Sequence, residues 1–299
     1  MKILKWVGIT LGILVALLLI FVAITYVITE RHFNKTYQIE AETVEVSTDS
    51  SVIDHGKHVA TIRGCIECHG EGLGGQVFID DPALGLLIAT NLTSGEGGIG
   101  QEYTNEDLVR AIRHGVNKDG KPAMFMPSHE YNPIDRRDLS ALVSYIRSVE
   151  PVDNEQPETD VGMLARFLYM YGGMHLVPAR LIDHSKPIPE PEENRTPLEM
   201  GEYLAVTCTG CHGEGFAGGA IPGVPPEWPE APNITPAGNI GNWTLQEFIT
   251  TMETGVTPEG KELTQPYMPY EMLGAMTDEE LEGLYTYLQS LPEKETGTR

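Results

Sequence analysis

The hydrophobic pattern of the chain begins with one long uncharged run near the N-terminus. Residues 6–28 read WVGITLGILVALLLIFVAITYVI and follow Lys2 and Lys5. A helix of this length spans roughly 34 Å at about 1.5 Å per residue, which is enough to cross a hydrocarbon core of about 30 Å. Bulky residues follow the run where a cleaved signal peptide would place small ones. We therefore expect an uncleaved transmembrane anchor over residues 1–30, with the rest of the chain on one side of the membrane.

After the anchor, apolar positions follow a helical period at matching places in two halves of the chain. Side chains at i, i+3, i+4 and i+7 predict two closing helices, one with Leu139, Leu142, Val143 and Ile146 and one with Leu281, Leu284, Tyr285 and Leu288. Thr104 and Thr244 each open a shorter segment that ends at a glycine, Gly115 or Gly255, as N-capped helices commonly do. The capping-box pattern also marks two helix starts, Thr244 with Glu247 and Thr277 with Glu280.

The two halves are internal repeats with a constant spacing. Asn91 and Asn233 differ by 142 positions, and Met126 and Met268 differ by the same number. This register predicts an all-α protein with two homologous units of short helices and loops. The predicted divisions are the anchor at 1–30, a polar tether at 31–50, unit one at 51–150, a linker at 151–195, unit two at 196–292 and a tail at 293–299.

The linker is acidic and proline-rich at both ends and apolar in between. Leu164, Phe167, Leu168 and Tyr171 share one face of a short predicted helix in the apolar part. We interpret this segment as a helix docked on the two units. A helix that docks a partner protein is the alternative.

The overall charge of the chain bears on its partners. The sequence has 43 Asp and Glu against 20 Lys and Arg, for a formal net charge of −23 and an isoelectric point near 4.7. A surface that binds nucleic acid needs clustered positive charge to neutralise phosphates, so the composition argues against nucleic acid as a partner. An acidic surface instead favours encounter with a basic protein, at a rate that depends on salt.

All four cysteines fall in two copies of one motif, with Cys65, Cys68 and His69 in the first and Cys208, Cys211 and His212 in the second. A zinc site would require both pairs to meet across about 140 residues, although each copy belongs to its own unit. A redox dithiol or a short disulfide leaves the histidine unexplained.

Covalent haem attachment accounts for the whole motif, both cysteines and the histidine. Two thiols one helical turn apart reach both vinyl groups at one porphyrin edge, and the next residue brings an imidazole beneath the iron. We therefore predict two covalently bound haem c groups, each with its motif histidine as an axial iron ligand.

The second axial ligand is expected to be a methionine in each unit. No histidine follows His212, so the candidates in unit two are Met252, Met268, Met272 and Met276. Met126 and Met268 each precede a proline at the same register, and we predict that these two bind iron. Unit one also contains Met124, His114 and His129. His129 is the alternative that we retain, whereas His114 lacks a counterpart in unit two and is expected at the surface, at a helix end.

Three groups of residues in each half carry a resemblance to a known family. They are CIECHGEGLGG, NLTSGEGGIG and MPSHEYNPIDRRDLSALVSYIRS in the first half, and CTGCHGEGFAGG, NITPAGNIGNWT and MPYEMLGAMTDEELEGLYTYLQSLP in the second. The sequence resembles class I cytochrome c in two tandem copies. It is most similar to the haem c subunits that accept electrons for membrane-bound dehydrogenases. The resemblance also implies that the methionine of each Met-Pro pair is an axial ligand. It further implies that Asn91 and Asn233 donate to haem propionates.

The expected function is electron relay by a membrane-anchored dihaem cytochrome c. Haem c is attached on the outer, periplasmic side of the bacterial inner membrane, so we expect a single-pass protein with a cytoplasmic N-terminus and periplasmic haem units. We expect an electron-transfer protein rather than a catalyst, working with redox partners such as a dehydrogenase or oxidase subunit. A dihaem cytochrome c peroxidase is the alternative from the enzyme class. A haem-based sensor is a further, non-redox alternative.

Overall fold

The computed structural model of the chain describes residues 2–224, 227–265 and 267–298. Helices make up 47% of the described residues and strands 6%, so the architecture is mostly helical. The helices are α1 (Lys2–Phe33), α2 (Ser50–Ile62), α3 (Cys65–His69), α4 (Asn105–His114), α5 (Ser128–Tyr131), α6 (Arg136–Ser148), α7 (Met163–Tyr171), α8 (Pro197–Ala205), α9 (Thr209–His212), α10 (Leu245–Thr254), α11 (Tyr270–Gly274) and α12 (Asp278–Ser290). The strands are β1 (Gln76–Asp81), β2 (Gly85–Ala89) and β3 (Asp160–Val161).

The first helical unit is built on the crossing of α2 and α6. At the crossing, a Cβ atom added to Gly56 would lie 1.9 Å from the carbonyl oxygen of Ala141. The helices therefore approach more closely than any side chain at that position allows. The predicted apolar face of α6 is buried in a core that it shares with residues of α2 and α4, including Val59, Leu108, Val109, Leu139 and Leu142.

The second helical unit repeats this arrangement. Helix α8 packs against α12, and a Cβ atom on Gly201 would lie 2.0 Å from the carbonyl oxygen of Gly283. Leu281, Leu284 and Leu288 of α12 are buried in the core of this unit. Ile62, the last residue of α2 in the first unit, is buried in the same core. The two units are therefore packed together and share apolar surface.

The predicted helix ends are confirmed. Thr104 caps α4 and Gly115 ends it with φ of 62°, in the left-handed region that glycine tolerates. Thr244 and Gly255 bound α10 in the same way. Capping boxes form at the starts of α10 and α12, as the threonine and glutamate spacing predicts.

The all-α prediction is incomplete, because a small antiparallel sheet follows the first cysteine motif. Strands β1 and β2 form a hairpin in which Asp81 pairs with Gly85, and β3 from the linker pairs with β2. A Cβ atom on Gly85 would meet the backbone of β3. In the described part of unit two, the matching place holds an isolated bridge between Gly219 and Ala231. The hairpin is therefore a feature of unit one.

Residues 34–49, which lie within the predicted polar tether of residues 31–50, run along the first unit. Arg110 donates to the carbonyl of Ile39 at 3.0 Å, and Arg136 donates to the carbonyl of Thr43 at 3.2 Å. The backbone N–H of Ser47 donates to the hydroxyl of Ser144 at 2.9 Å. This segment therefore has partners in the first unit over most of its length.

A third apolar cluster joins the hairpin, the linker and the end of α1. Its buried members include Leu87, Val116, Val161, Ala165 and Leu176, and Phe33 of α1 packs against it. Helix α7 forms where its apolar face was predicted and contacts α1. Helix α1 is long and apolar enough to cross a membrane, by length and composition.

The contact between the two units is centred on a buried arginine. The guanidinium of Arg63, at the end of α2, donates to the hydroxyl of Thr207 and to the carbonyl of Tyr203, both at 3.1 Å. It lies 4.6 Å from the centroid of the Tyr203 ring. His58 and Glu280 form a second bridge between the units at 2.8 Å. This joint lies directly beside both cysteine motifs.

Candidate functional site

The first motif is a single helical turn bounded by glycines. Helix α3 begins after Gly64, which has φ of 72°, and ends at Gly70, which has φ of 79°. The carbonyl of Thr90 lies 2.7 Å from Nδ1 of His69. Because a carbonyl can only accept, Nδ1 carries the proton and Nε2 is the nitrogen able to bind a metal. Burial lowers the pKa of His69 and so favours the neutral imidazole that coordination requires.

The second motif begins differently, with Cys208 in a 3-10 turn before α9, but it holds its histidine in the same way. In α9, His212 is 5% exposed, and its Nδ1 lies 2.8 Å from the carbonyl of Pro232. In both copies a left-handed residue follows, Leu73 with φ of 52° and Phe216 with φ of 57°. Both are buried and accept a backbone hydrogen bond from the Asn-x-Thr segment, Leu73 from Leu92 and Phe216 from Ile234. Non-glycine residues rarely adopt this conformation, so the repeated strain marks a turn on which the motif geometry depends.

The two Met-Pro pairs also share one backbone geometry. Pro127 and Pro269 are the N-cap residues of α5 and α11, with nearly equal dihedral angles. In each case the methionine carbonyl accepts from the residue after the proline, at 2.7 Å for Met126 and 2.8 Å for Met268. Phe125 has φ of 64°, a further left-handed residue next to Met126.

An apolar cavity in the first unit brings three of its four predicted haem residues together. Cys65, His69 and Met126 line it, with Ala60, Leu73, Leu92, Ile112, Tyr131, Leu142 and Ile146. A sulfur for attachment, a nitrogen ligand and a thioether thus face one apolar space, which fits the chemistry of a covalently bound haem. In unit two, Cys208 and Met268 both pack against that unit's core.

The competing ligands of unit one lie elsewhere. Met124 packs against the third cluster, beyond the cavity lining. His129 stacks edge-on against His175, with ring centroids 5.2 Å apart, and is not among the residues that line the cavity. The lining therefore favours Met126 over His129 as the axial ligand.

His114 is not at the surface, contrary to expectation. It is 3% exposed, and its Nδ1 lies 3.1 Å from Nδ1 of His184 in the linker. The helix end that we expected to face water is covered by the linker.

Asn91 and Asn233 serve the loops in which they occur. Each side-chain oxygen accepts from the backbone and hydroxyl of the threonine two residues later, at 2.7–2.9 Å. The side-chain nitrogens donate to the carbonyls of Val152 and Lys294. These contacts give the amides a loop-closing role, and the propionate contact that the resemblance implies stays a prediction.

The thiol environment disfavours the other interpretations of the motif. Burial raises the pKa of Cys65 to about 12 and that of Cys68 to about 11. A redox dithiol needs a lowered thiol pKa, because the thiolate is the reactive form. Among the residues that the structure describes, the cysteines form no disulfide, and no group of three or more His, Cys, Asp and Glu side chains is placed to hold a metal ion.

Arg63 is a site residue that the sequence did not indicate. It lies two positions before Cys65 and donates to Thr207, which precedes Cys208. It is 3% exposed. The matching residue of unit two is Val206, so the repeat gave no signal for a charge here. Its role depends on the packing of one unit on the other.

Comparison with known proteins agrees with the motif geometry. The family model described as cytochrome c matches residues 53–150 and 199–292. The chain is 30% identical over 278 residues to the fructose dehydrogenase cytochrome subunit of Gluconobacter japonicus, with 85% of this chain and 55% of that protein covered. It is 31% identical over 237 residues to the cytochrome c subunit of a quinone alcohol dehydrogenase of Gluconobacter oxydans (strain 621H), with 69% of this chain and 48% of that protein covered.

The chain spans about half the length of these two curated relatives. Neither relative favours the peroxidase alternative, since both are named as dehydrogenase cytochrome subunits. Membership of the family implies covalently bound haem c. Through the two matched segments, the chain belongs to the cytochrome c family.

Proposed function

We propose that the chain is a membrane-anchored dihaem cytochrome c that relays single electrons as a subunit or close partner of a dehydrogenase. Its two tandem class I units are residues 51–150 and 196–292, joined by the linker 151–195. The recurrence of one local geometry in both units supports this proposal. A histidine with Nδ1 held by a carbonyl and a Met-Pro turn before a short helix occur in each.

Each residue of the site has a defined part in this proposal. Cys65 and Cys68 attach one haem c, and Cys208 and Cys211 attach the other. Thr90 and Pro232 orient the imidazoles of His69 and His212 through their carbonyls. Met126 and Met268 would hold the two haem irons together with these histidines. Haem c supplies a one-electron couple when bound. A haem iron held by both a histidine and a methionine of the chain would leave no place for a substrate, which suits relay over catalysis.

Membrane anchorage and orientation are part of the proposal. Helix α1 has a mean hydropathy of 3.0 in its most apolar window, and most of its side chains are exposed. The anchor is residues 1–30 with the N-terminus in the cytoplasm. Both haem units lie on the outer face of the membrane, where haem c is attached to protein.

The partner is proposed from the relatives. The fructose and alcohol dehydrogenase relatives are both named as the cytochrome component of a dehydrogenase. The proposed electron donor of this chain is therefore also a dehydrogenase. Because the chain has a net charge of −23, we expect the docking surface of the partner to be basic.

Haem stoichiometry of the purified full-length protein tests the proposal. We expect two covalent haem c groups per chain after denaturation, and one each in the variants C65A/C68A and C208A/C211A. The oxidised native protein should show a methionine-to-iron absorption band from both units. One haem per chain would contradict the dihaem assignment. Two haems with the band missing from one unit would contradict relay and favour an open coordination site.

A further inference from the structure

Helix α7 of the linker packs against the apolar helix α1 as well as against the first unit. The ring of Phe21 in α1 is 5.6 Å from that of Tyr171 and 6.2 Å from that of Phe167, measured between centroids. Phe21 belongs to the uncharged run of residues 6–28. The side chains of α7 therefore contact the part of α1 that is apolar enough to lie in lipid.

A buried arginine fixes α7 on α1. The guanidinium of Arg166 donates to the hydroxyl of Thr29 at 2.8 Å and to the carboxylate of Glu30 at 2.7 Å. It also lies 4.4 Å from the ring centroid of Tyr26. Its Nε donates to the carbonyl of Val161 in β3, two residues before α7 begins. The two helices are thus held in one relative position at the end of the apolar run.

Several large apolar side chains of α7 remain exposed in this position. Leu164, Phe167 and Tyr171, spaced at i, i+3 and i+7 on one helical face, are 44%, 42% and 52% exposed. Phe21 of α1 is 41% exposed beside them. The exposed face of α7 is therefore continuous with the exposed apolar surface of α1.

The charge of this region differs from that of the rest of the chain. Residues 161–182 contain no Asp or Glu, although the chain has 43 of them. The ionised side chains in the stretch are Arg166, which is buried and paired with Glu30, and Arg180, which is exposed and available to headgroups. Anionic lipid headgroups repel carboxylates and attract arginine, so this composition suits a membrane surface and not a basic protein partner.

The depth of the contact also fits a membrane surface. Phe21 precedes the end of the apolar run at Ile28 by about 10 Å of helix, at 1.5 Å per residue. Helices that lie in the interface bury their apolar face about 5–10 Å into the headgroup and acyl boundary. Tyrosines concentrate at the boundary between headgroups and acyl chains, and Tyr26, two residues before the end of the apolar run, lies at that boundary if α1 spans the membrane.

We propose that α7 is a second membrane contact of this protein, lying in the lipid interface with Leu164, Phe167 and Tyr171 in the acyl region. The occupant of the apolar face is the lipid bilayer. The inference rests on the proposed function, because it takes α1 as the membrane anchor. Under it, the chain contacts the membrane through one spanning helix and one helix in the surface plane.

Photolabelling from the lipid phase tests this inference. The purified full-length holoprotein is placed in vesicles of phosphatidylethanolamine and phosphatidylglycerol that contain a phospholipid with a photoactivatable acyl chain. Labelled peptides are then mapped by mass spectrometry. We expect label in Met163–Tyr171 as well as in α1. Label in α1 with none in Met163–Tyr171 overturns the inference and leaves the anchor intact. Label in neither helix overturns the anchor assignment, and the inference with it.

A matched pair of variants sharpens the test. Leu164 in α7 and Leu198 in α8 are both 44% exposed. We expect Leu164→Glu to lower the labelling of Met163–Tyr171 several-fold, with the label in α1 and the haem spectrum unchanged. Leu198→Glu should leave all labelling unchanged. Equal labelling of α7 in the two variants would contradict a lipid contact at Leu164.

Discussion

At the scale of single residues, the site depends on the orientation of two imidazole rings. A backbone carbonyl, from Thr90 or Pro232, fixes each ring through Nδ1. These carbonyl groups belong to loops that Asn91 and Asn233 close by hydrogen bonds. The motif spacing indicated the histidines, but the carbonyls lie 20 or 21 positions away and are positioned by the loops alone. Sequence therefore predicts the ligand and not the group that orients it.

The axial assignment predicts a separable loss in each unit. Met126→Ala should remove the methionine-to-iron band of one haem, and Met268→Ala that of the other, because no thioether then faces the iron. Each variant should keep about half of the band intensity, and the double variant none. Absorption spectra of the oxidised protein measure this. Met124→Ala is the control, since Met124 packs in the third cluster and should keep the full band. A full band in Met126→Ala would exclude Met126 as an iron ligand and leave His129 as the candidate.

The His114–His184 contact predicts a loss of stability in acid. Nε2 of His184 lies 2.9 Å from the carbonyl of Ala179, so its Nδ1 accepts the Nδ1 proton of His114. Burial, with nearby Arg113 and His184, lowers the pKa of His114 to about 4. Since the pKa is near 6.5 in the unfolded chain, the neutral ring stabilises the fold above that pH, and the contribution is lost as pH falls towards 4.

Denaturation of the wild type and His114→Asn at several pH values measures this effect. The free energy of unfolding of the wild type should fall relative to the variant by on the order of 2 kcal/mol between pH 7 and pH 4. Asparagine keeps a donor near the position of Nδ1 but does not titrate. A constant difference between the two proteins across this range would show that His114 does not titrate as the burial requires.

At the scale of elements, each unit depends on one close helix crossing. Gly56→Ala should destabilise the first unit by on the order of 2 kcal/mol, because its Cβ would lie 1.9 Å from the carbonyl oxygen of Ala141 and the helices must separate. Thermal unfolding of the holoprotein checks this. Gly72→Ala is the control in the same unit, since its Cβ would meet only Val152 at 3.5 Å. Equal melting temperatures for the two variants would mean that α2 and α6 can move apart without cost.

The elements that sequence predicted well are those with local signals. The starts of α4, α10 and α12 are set by a threonine and an acid three residues later, within one helical turn. The β1–β2 hairpin was missed because the apolar run LGLLIA does not distinguish a buried strand from a helix. Its third strand is more than 70 residues away in the linker, so no local pattern points to it.

At the scale of the whole molecule, the two units meet around a buried positive charge. Arg63 donates across the joint to Thr207 and Tyr203, and its ring contact with Tyr203 is part of the same interface. Ile62 adds an apolar contact by entering the core of the second unit. The arginine therefore lies between the two attachment motifs, and its charge acts on both.

The charge of Arg63 predicts a change in reduction potential. A nearby positive charge favours the reduced form of a haem, which carries one positive charge fewer. Arg63→Met should lower the midpoint potentials. A decrease of about 59 mV corresponds to a tenfold fall in the ratio of reduced to oxidised haem at a given applied potential. Arg63→Lys keeps the charge and should stay near the wild type. Spectroelectrochemical titration measures both variants. If the Met and Lys variants shift equally, packing and not charge is the function of this residue.

The docking of residues 34–49 decides how the protein meets its partners. A flexible chain of this length would let the haem units move over about 20 Å around the end of the anchor. The contacts with Arg110, Arg136 and Ser144 remove that freedom. If α1 spans the membrane, the units stand at a constant height above it and present the same face outward. The protein then does not work as a swinging arm between distant sites. A partner in the same membrane finds it by lateral diffusion in two dimensions, and its electron-exit group must lie at that height.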